Sequence, residues 1–362
     1  MPVPLFATSL DPYMDRIAER MGEVARSGRY ILGPEVEAFE REFADFCGAR
    51  HCVGVGNGTD AITISLRALG VGPGDDVVVP SFTFYASAEA VADIGARPVF
   101  CDVDPETACV TAQTVAAALT PNTKAVVTVD LFGNVAPNEE VEALGVPVLE
   151  DAAQAIGGGR HGRRAGSFGT AATISFFPSK NLGAFGDGGA VATDDDGVAE
   201  RVRMLRFHGS RDKRTFELVG RNSRLDELQA ALLRVQLPEL EGWAAARRAV
   251  ARAYADAGLG ELVALPEPVD GAEPAWHLYV VRSAQAEAVE AALNAAGIGA
   301  RRYYTVPVHR QPAMAGMAPG LELPMTDELA RTNLALPMSP ALNAEQVAEV
   351  VASVRACASG ST

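Results

Sequence analysis

Lys180 stands just past the apolar run TISFF (173–177) and Pro178, in a segment that also carries Gly183, Gly186, Gly188 and Gly189. A segment so rich in glycine is a poor helix. A lysine held there, at the end of a buried strand, loses part of its hydration. Desolvation lowers the pKa of an ammonium and supplies the neutral amine that a Schiff base requires. A surface lysine on a loop is the commoner fate of the residue type, but the place directly after a buried strand favours the reactive reading. Asp151 closes the run VPVLED (146–151). A carboxylate there can hold a proton on a heterocyclic nitrogen and keep that ring an electron sink; it also suits a helix cap. Earlier, HCVGV leads into Gly56-Asn57-Gly58-Thr59-Asp60 and then a helix with Ile62, Leu66 and Leu69 on one side. Gly58 lets the backbone come close, and the unpaired amides of Thr59 and Asp60 would face an anion, a phosphate cup. An ordinary strand-to-helix turn capped by Asp60 fits equally well. There is no G-x-G-x-x-G followed by a ribose-binding acid, so a single phosphate fits better than a dinucleotide. In VGRNSRLDELQAALL, Asn222 and Arg224 precede a strongly apolar helix; by themselves they read as a turn residue and a surface charge.

The elements that must position these residues are short apolar runs at 52–55, 76–81, 97–102, 124–130, 146–151, 173–177 and 189–193. Continuous runs of this kind, separated by helical or loop segments, suit strands buried on both faces. The fold class expected is α/β with a mainly parallel sheet, in which ligands sit beyond the carboxyl ends of the strands. Two helices precede the runs, around 11–27 and after Gly33, where Pro34 opens a turn carrying Val36, Phe39, Phe43 and Phe46. From Leu225 the pattern turns helical, with a break expected at Pro238. A strand at 277–282 and helices at 284–296 and 344–357 then make a smaller α+β region. The expected division is a large domain over 1–245 and a small one over 246–362.

The 362 residues, 48% hydrophobic and 21% charged, allow a large core. A net charge of -15 disfavours nucleic acid and anionic membrane surfaces, so an anionic small substrate needs a local positive pocket. Five cysteines without a C-x-x-C pair argue against a disulfide framework or a zinc ribbon, and no metal site is expected. The start of the chain has no secretory pattern and no apolar run is long enough to span a membrane, which reads as cytoplasmic.

Taken in order, GNGTDA, PSFTFYASAEAV, EDAAQA, SFFPSKNLGAFGDGGA and GRNSRLDELQAA resemble the DegT/StrS-type nucleotide-sugar aminotransferases, which are fold-type I enzymes dependent on pyridoxal phosphate. The resemblance runs over nearly the whole chain, from RYILGPEVEAFEREFADFCGA to LPMSPAL. It implies a large domain with a seven-stranded sheet. It also implies that Lys180 carries the cofactor and shuttles protons, that Asp151 pairs with the ring nitrogen, and that Phe84 stacks on the ring. Gln154 would lie near the phenolic oxygen, and Gly58, Thr59, Asp60 and Ser175 at the phosphate. Asn222 would reach the phosphate of a neighbouring subunit's cofactor, so a homodimer with shared sites is expected. Tyr304, His309 and Arg224 are candidates for sugar contact; His208 is similar to a position near the mouth of the site, and a plain loop role fits it as well. The implied reaction moves an amino group from glutamate to a nucleotide-linked keto-sugar in amino-sugar biosynthesis. GRNSRLDELQAA is nearer to relatives acting at C3, which points to a dTDP-linked 3-keto-6-deoxyhexose, with C4 amination or a keto-cyclitol as alternatives. A dehydratase on the same scaffold would have histidine where Lys180 stands, and a regulatory protein that only binds the cofactor would have lost a catalytic residue. The chain departs from the pattern in a shortened stretch PNEEVEALGVP, in Arg221 where an aromatic is frequent, and in Thr305 where proline is usual.

Overall fold

The computed structural model describes residues 2–6 and 10–359. Its strands, in chain order, begin with His51–Val55 (β1), Asp76–Pro80 (β2), Arg97–Cys101 (β3), Thr123–Val129 (β4) and Val148–Asp151 (β5). Two-residue strands Gly159–Arg160 (β6) and Arg163–Arg164 (β7) follow, then Ala171–Ser175 (β8) and Gly189–Thr193 (β9). Ala272–Glu273 (β10), Tyr279–Arg282 (β11) and Asn333–Leu336 (β12) complete the set. Seven of these form one sheet in the order β1-β9-β8-β5-β4-β2-β3. Only β9 runs against its neighbours; the other adjacent pairs are parallel. The expected α/β architecture with a mainly parallel seven-stranded sheet is therefore the one found.

In β1, β8 and β9 alternate side chains feed two different cores, whereas the apolar side chains of β2 and β4 all join one of them. Val53, Val55 and Val191 join one cluster with Ile62, Val78 and Leu149. Cys52, Ala190 and Ala192 join another with Phe39, Phe43 and Phe176. In that second core the rings of Phe39, Phe43 and Phe176 meet at centroid distances of 5.3 to 5.5 Å. Their helix, Pro34–Cys47, is held by Glu227, whose buried carboxylate accepts from the amides of Gly33 (2.8 Å), Glu35 (3.0 Å) and Val36 (2.9 Å). A side chain 191 residues or more away thus satisfies the orphan amides of the first turn.

The helical stretch after Leu225 divides as Pro238 requires, into Glu227–Gln236, a 3-10 turn Leu237–Glu239 and Leu240–Asp256. This last helix runs from the second core at Leu240 into a third at Val250 and Tyr254, so the expected 245/246 division falls inside it. The third core joins β11, β12 and the helices Ala286–Ala295 and Ala344–Ser359. The N-terminal segment crosses to it: Val3 bridges to Ile298, and the ring of Phe6 stacks on His277 at 5.8 Å. The stretch around PNEEVEALGVP keeps only the five-residue helix Asn138–Glu142.

Candidate active site

A cavity of about 760 Å³ opens at the carboxyl ends of β1, β4, β5 and β8. At one end lies the turn after β1. Asn57 is extended and caps the helix Gly58–Ala68, its side-chain oxygen accepting from the Asp60 amide at 2.8 Å. The expectation that this amide is open to an anion is therefore corrected: Asn57, three residues earlier, takes it. The amides of Gly58 and Thr59 have no acceptor among the described residues, and the hydroxyl of Ser175 lies beside them. A Cβ on Gly58 would come within 2.8 Å of Ser175 Cβ and 3.2 Å of its Oγ, so only glycine leaves this cradle open. The Asp60 carboxylate pairs with Arg221 at 3.2 Å, and Gly56 donates to Ser223 Oγ at 2.9 Å.

Asp151 is the last residue of β5, and its Oδ2 accepts from Ser87 Oγ at 2.9 Å while Oδ1 accepts from the Ala153 amide at 3.3 Å. Burial raises its carboxyl above the ordinary range; Ser87, the Ala153 amide and the charge of Lys180 act against that rise. Lys180 sits in the tight turn after β8, its amide donating to Phe177 O at 2.8 Å. The turn closes on Gly183, where a Cβ would lie 2.5 Å from Pro178 O. Burial lowers the Lys180 amine to about 8, and Asp151 opposes the drop. A lysine and a buried carboxylate thus face one cavity, the first within reach of its neutral form near physiological pH and the second able to hold a proton on a base.

Across from them, Gln154 accepts from the Phe132 amide at 2.6 Å and donates to the Tyr304 hydroxyl at 3.2 Å. Tyr304 takes the left-handed conformation (φ 61°) that non-glycine residues rarely adopt, and its ring stacks parallel on Phe132 at 6.0 Å. Phe84 is 58% exposed, a large ring left bare on the cavity wall.

Of the expected residues, Gly58, Thr59, Asp60, Phe84, Asp151, Gln154, Ser175, Lys180 and Tyr304 line this cavity. Asn222, Arg224, His208 and His309 do not. Asn222 bridges to Phe207 instead. His309 is buried, with Nδ1 2.6 Å from Ser81 Oγ and Nε2 accepting from Arg310 Nε at 3.3 Å. Both ring nitrogens are occupied inside the fold, so the imidazole pegs the chain to the end of β2 rather than facing a substrate. The sequence reasoning passed over Phe6, Asp187, His277, Arg301 and Tyr303, all of which line the cavity. His277 is buried with Nδ1 unpartnered, and burial together with Lys180 and Arg247 lowers its pKa and keeps it neutral. Its place at the start of the strand HLYVVR was the one available signal.

The donor set tests well against a phosphorylated pyridine aldehyde. Two free amides and a hydroxyl would suit the phosphate, in a cradle that a Cβ would fill. A buried, hydrogen-bonded carboxylate would suit the ring nitrogen, and an amine of lowered pKa the aldehyde. Among the described residues no cluster of His, Cys, Asp and Glu could hold a metal ion, and no helix is long and apolar enough to cross a membrane.

The sequence matches the DegT/DnrJ/EryC1/StrS aminotransferase family over residues 13–355. It is 45% identical over 351 residues to a pleiotropic regulatory protein of Geobacillus stearothermophilus, covering 94% of this chain and 93% of that one. It is 45% identical over 353 residues to the dTDP-3-amino-3,4,6-trideoxy-alpha-D-glucose transaminase of Streptomyces venezuelae, covering 95% and 93%. The crystal structure of S. venezuelae DesV in complex with a ketimine intermediate superposes with a TM-score of 0.95 at 43% identity, over 99% of this chain and 98% of that one.

Proposed function

The chain belongs to the DegT/DnrJ/EryC1/StrS aminotransferase family, and from that premise we propose that it transfers an amino group from glutamate to the C3 keto group of a dTDP-linked 6-deoxyhexose. It is a nucleotide-sugar aminotransferase dependent on pyridoxal phosphate. The observation that carries the reading is Lys180 and Asp151 facing one cavity whose far end offers free amides to a phosphate.

When bound, pyridoxal phosphate supplies an aldehyde that accepts an amino group and a cationic ring that withdraws electrons from the adjacent carbon. This chain's residues do the rest. The Gly58 and Thr59 amides and Ser175 Oγ anchor the phosphate and fix the ring's depth. Asp151, oriented by Ser87 and the Ala153 amide, keeps the ring nitrogen protonated. Phe84 would cover the ring, and Gln154, which donates to the Tyr304 hydroxyl, would hold its oxygen. Lys180 Nζ would move the proton at the donor's α-carbon, and the same amine would serve the keto-sugar half in the opposite direction. An amine of pKa about 8 suits both directions, since neither protonation state is far out of reach at neutral pH.

The substrate choice rests on the Streptomyces relative, whose name places its amino group at C3 of a dTDP-linked sugar. A homodimer with shared sites accounts for Asn222 and Arg224, which do not reach their own cavity and are free to serve a partner's. Large apolar side chains left exposed at the cavity (Phe177) and about the helix Glu227–Gln236 (Phe185, Tyr30, Ile31) favour such an assembly. A purely regulatory role, as the name of the Geobacillus relative would have it, explains neither the lowered lysine nor the buried carboxylate facing it.

The test is spectroscopic and then chemical. The protein loaded with cofactor should absorb in the visible and lose that band with glutamate, and Lys180→Ala should abolish the response. Incubation with glutamate and a panel of keto-sugar nucleotides, read by mass and NMR, should yield the C3 amino sugar. A protein that binds no cofactor, or aminates none of the panel, would refute the proposal.

A further inference from the structure

Two cations of this chain line the cavity, Lys180 and Arg301. Lys180 is committed to the cofactor under the function proposed above, on which the following rests. Arg301 has a different setting. Its neighbour Arg302 is neutralised by Glu290 at 2.9 Å and Glu287 at 3.5 Å. No acidic group lies within ion-pair distance of Arg301 among the described residues. Its guanidinium is held instead over the ring of Tyr303, 5.3 Å from the centroid, by a cation–π contact. The backbone beneath is fixed by reciprocal hydrogen bonds with Ala335, 3.2 and 2.8 Å long. Of the three acids on the cavity wall, Asp60 is met by Arg221, Asp151 faces Lys180, and Asp187 makes no ion pair with Arg301 among the described residues. Arg301 is thus an oriented, uncompensated positive charge on the wall of the reaction chamber, in a chain whose net charge is -15.

We propose that Arg301 receives a carboxylate of the amino donor. A dicarboxylic donor has to enter a strongly negative protein and keep one carboxylate within a few bonds of the reacting carbon, so a cation must lie in the same chamber as Lys180. The planar fork of a guanidinium matches the two oxygens of a carboxylate, and its stacking on Tyr303 fixes the fork before the ligand arrives. An unpaired guanidinium is also chemically selective: it favours a dicarboxylate over an amino donor with an uncharged side chain or no second anion. The keto-sugar's pyrophosphate hangs from C1, two ring carbons from the C3 carbonyl and beyond the glycosidic oxygen, and so lies more bonds from its reacting carbon than either carboxylate of the donor does from its own.

The experiment uses the cofactor-loaded protein with glutarate, a dicarboxylate that lacks an amine and cannot react. Calorimetry should show glutarate binding to the parent, weakened on the order of tenfold or more in Arg301→Gln, the loss typical of one charge-assisted bidentate contact. KM for glutamate should rise by a similar factor, while the keto-sugar half-reaction keeps its KM. Arg301→Lys should recover part of the affinity, as a point charge without the fork. Unchanged melting and unchanged cofactor affinity in Arg301→Gln would show that the fold is intact. Equal glutarate affinity in parent and Arg301→Gln, or a loss confined to the keto-sugar half, overturns the inference alone. A parent protein whose visible band ignores glutamate overturns the proposed donor and this inference together.

Discussion

Raising the pH of the cofactor-free protein through 8 should sharply accelerate its uptake of pyridoxal phosphate. Bond formation at the aldehyde needs the neutral amine of Lys180, and burial has brought that group down to about 8. At pH 7 a lysine titrating there is neutral in about one molecule in ten, against about three in ten thousand for one at its ordinary value of 10.5. The buried lysine is thus ahead by about 300-fold at neutral pH before any geometric advantage is counted. The sign of the pH dependence follows directly: a depressed ammonium loses its proton as pH rises, so uptake climbs from pH 6, has its midpoint near 8 and then levels off. Asp151 supplies a second check, because its charge opposes the effect of burial on the lysine. Asp151→Asn removes that charge, so the lysine should titrate lower still. Uptake at pH 7 should then be no slower than in the parent and faster by at most about tenfold, the gap between one molecule in ten and all of them. Turnover in the same variant should fall on the order of a hundredfold or more, because the ring nitrogen loses its counter-charge. Stopped-flow growth of the visible band, followed across the pH range for both proteins, reads each quantity. A parent midpoint near 10, or a midpoint that moves upward in Asp151→Asn, would refute the account of how this pocket tunes its lysine.

The phosphate cradle and the helix cap behind it give two simpler expectations. Gly58→Ala places a methyl 2.8 Å from Ser175 Cβ, so one of the two must shift, and cofactor affinity should drop on the order of tenfold with little change in melting temperature, as measured by fluorescence titration. Glu227→Ala leaves the amides of Gly33, Glu35 and Val36 without their buried acceptor and should cost about 3 kcal/mol of stability, read as a lower urea midpoint at unchanged slope.

What could be read from the sequence divides along a physical line. Strand identity is local: VVV in β2 and AVV in β4 are continuous apolar runs because these strands are buried in the sheet, and no partner need be known to see it. Lys180 and Asp151 were legible for the same reason, since each follows such a run and the carboxyl end of a parallel sheet is where ligands gather. The turn after β1 offers two good caps three residues apart, Asn57 and Asp60, and only the observed start of the helix decides between them. The short helices Ala86–Asp93 and Ala112–Ala118 are alanine-rich, and the one local mark of either is the Thr111–Thr114 capping box that opens the second. His309 illustrates the other limit. Its partner Ser81 is 228 positions away, and a histidine that pegs two segments together looks in sequence like one that meets a ligand.

The two walls of the cavity are therefore encoded differently. The wall that would hold the cofactor comes from strand ends of the seven-stranded sheet, where position along the chain nearly dictates position in space. The opposite wall, with Phe6, His277, Arg301 and Tyr303, is assembled from the N-terminal segment and from β11 and the chain paired with β12. Its residues become neighbours only through long-range pairings such as Val3 with Ile298 and Arg301 with Ala335. Changes on that wall leave the sheet, the lysine and its carboxylate untouched while altering which anions and which sugars are admitted. A family can in this way keep one chemistry and vary its substrates, and the second wall is where the specificity of this chain has to be sought.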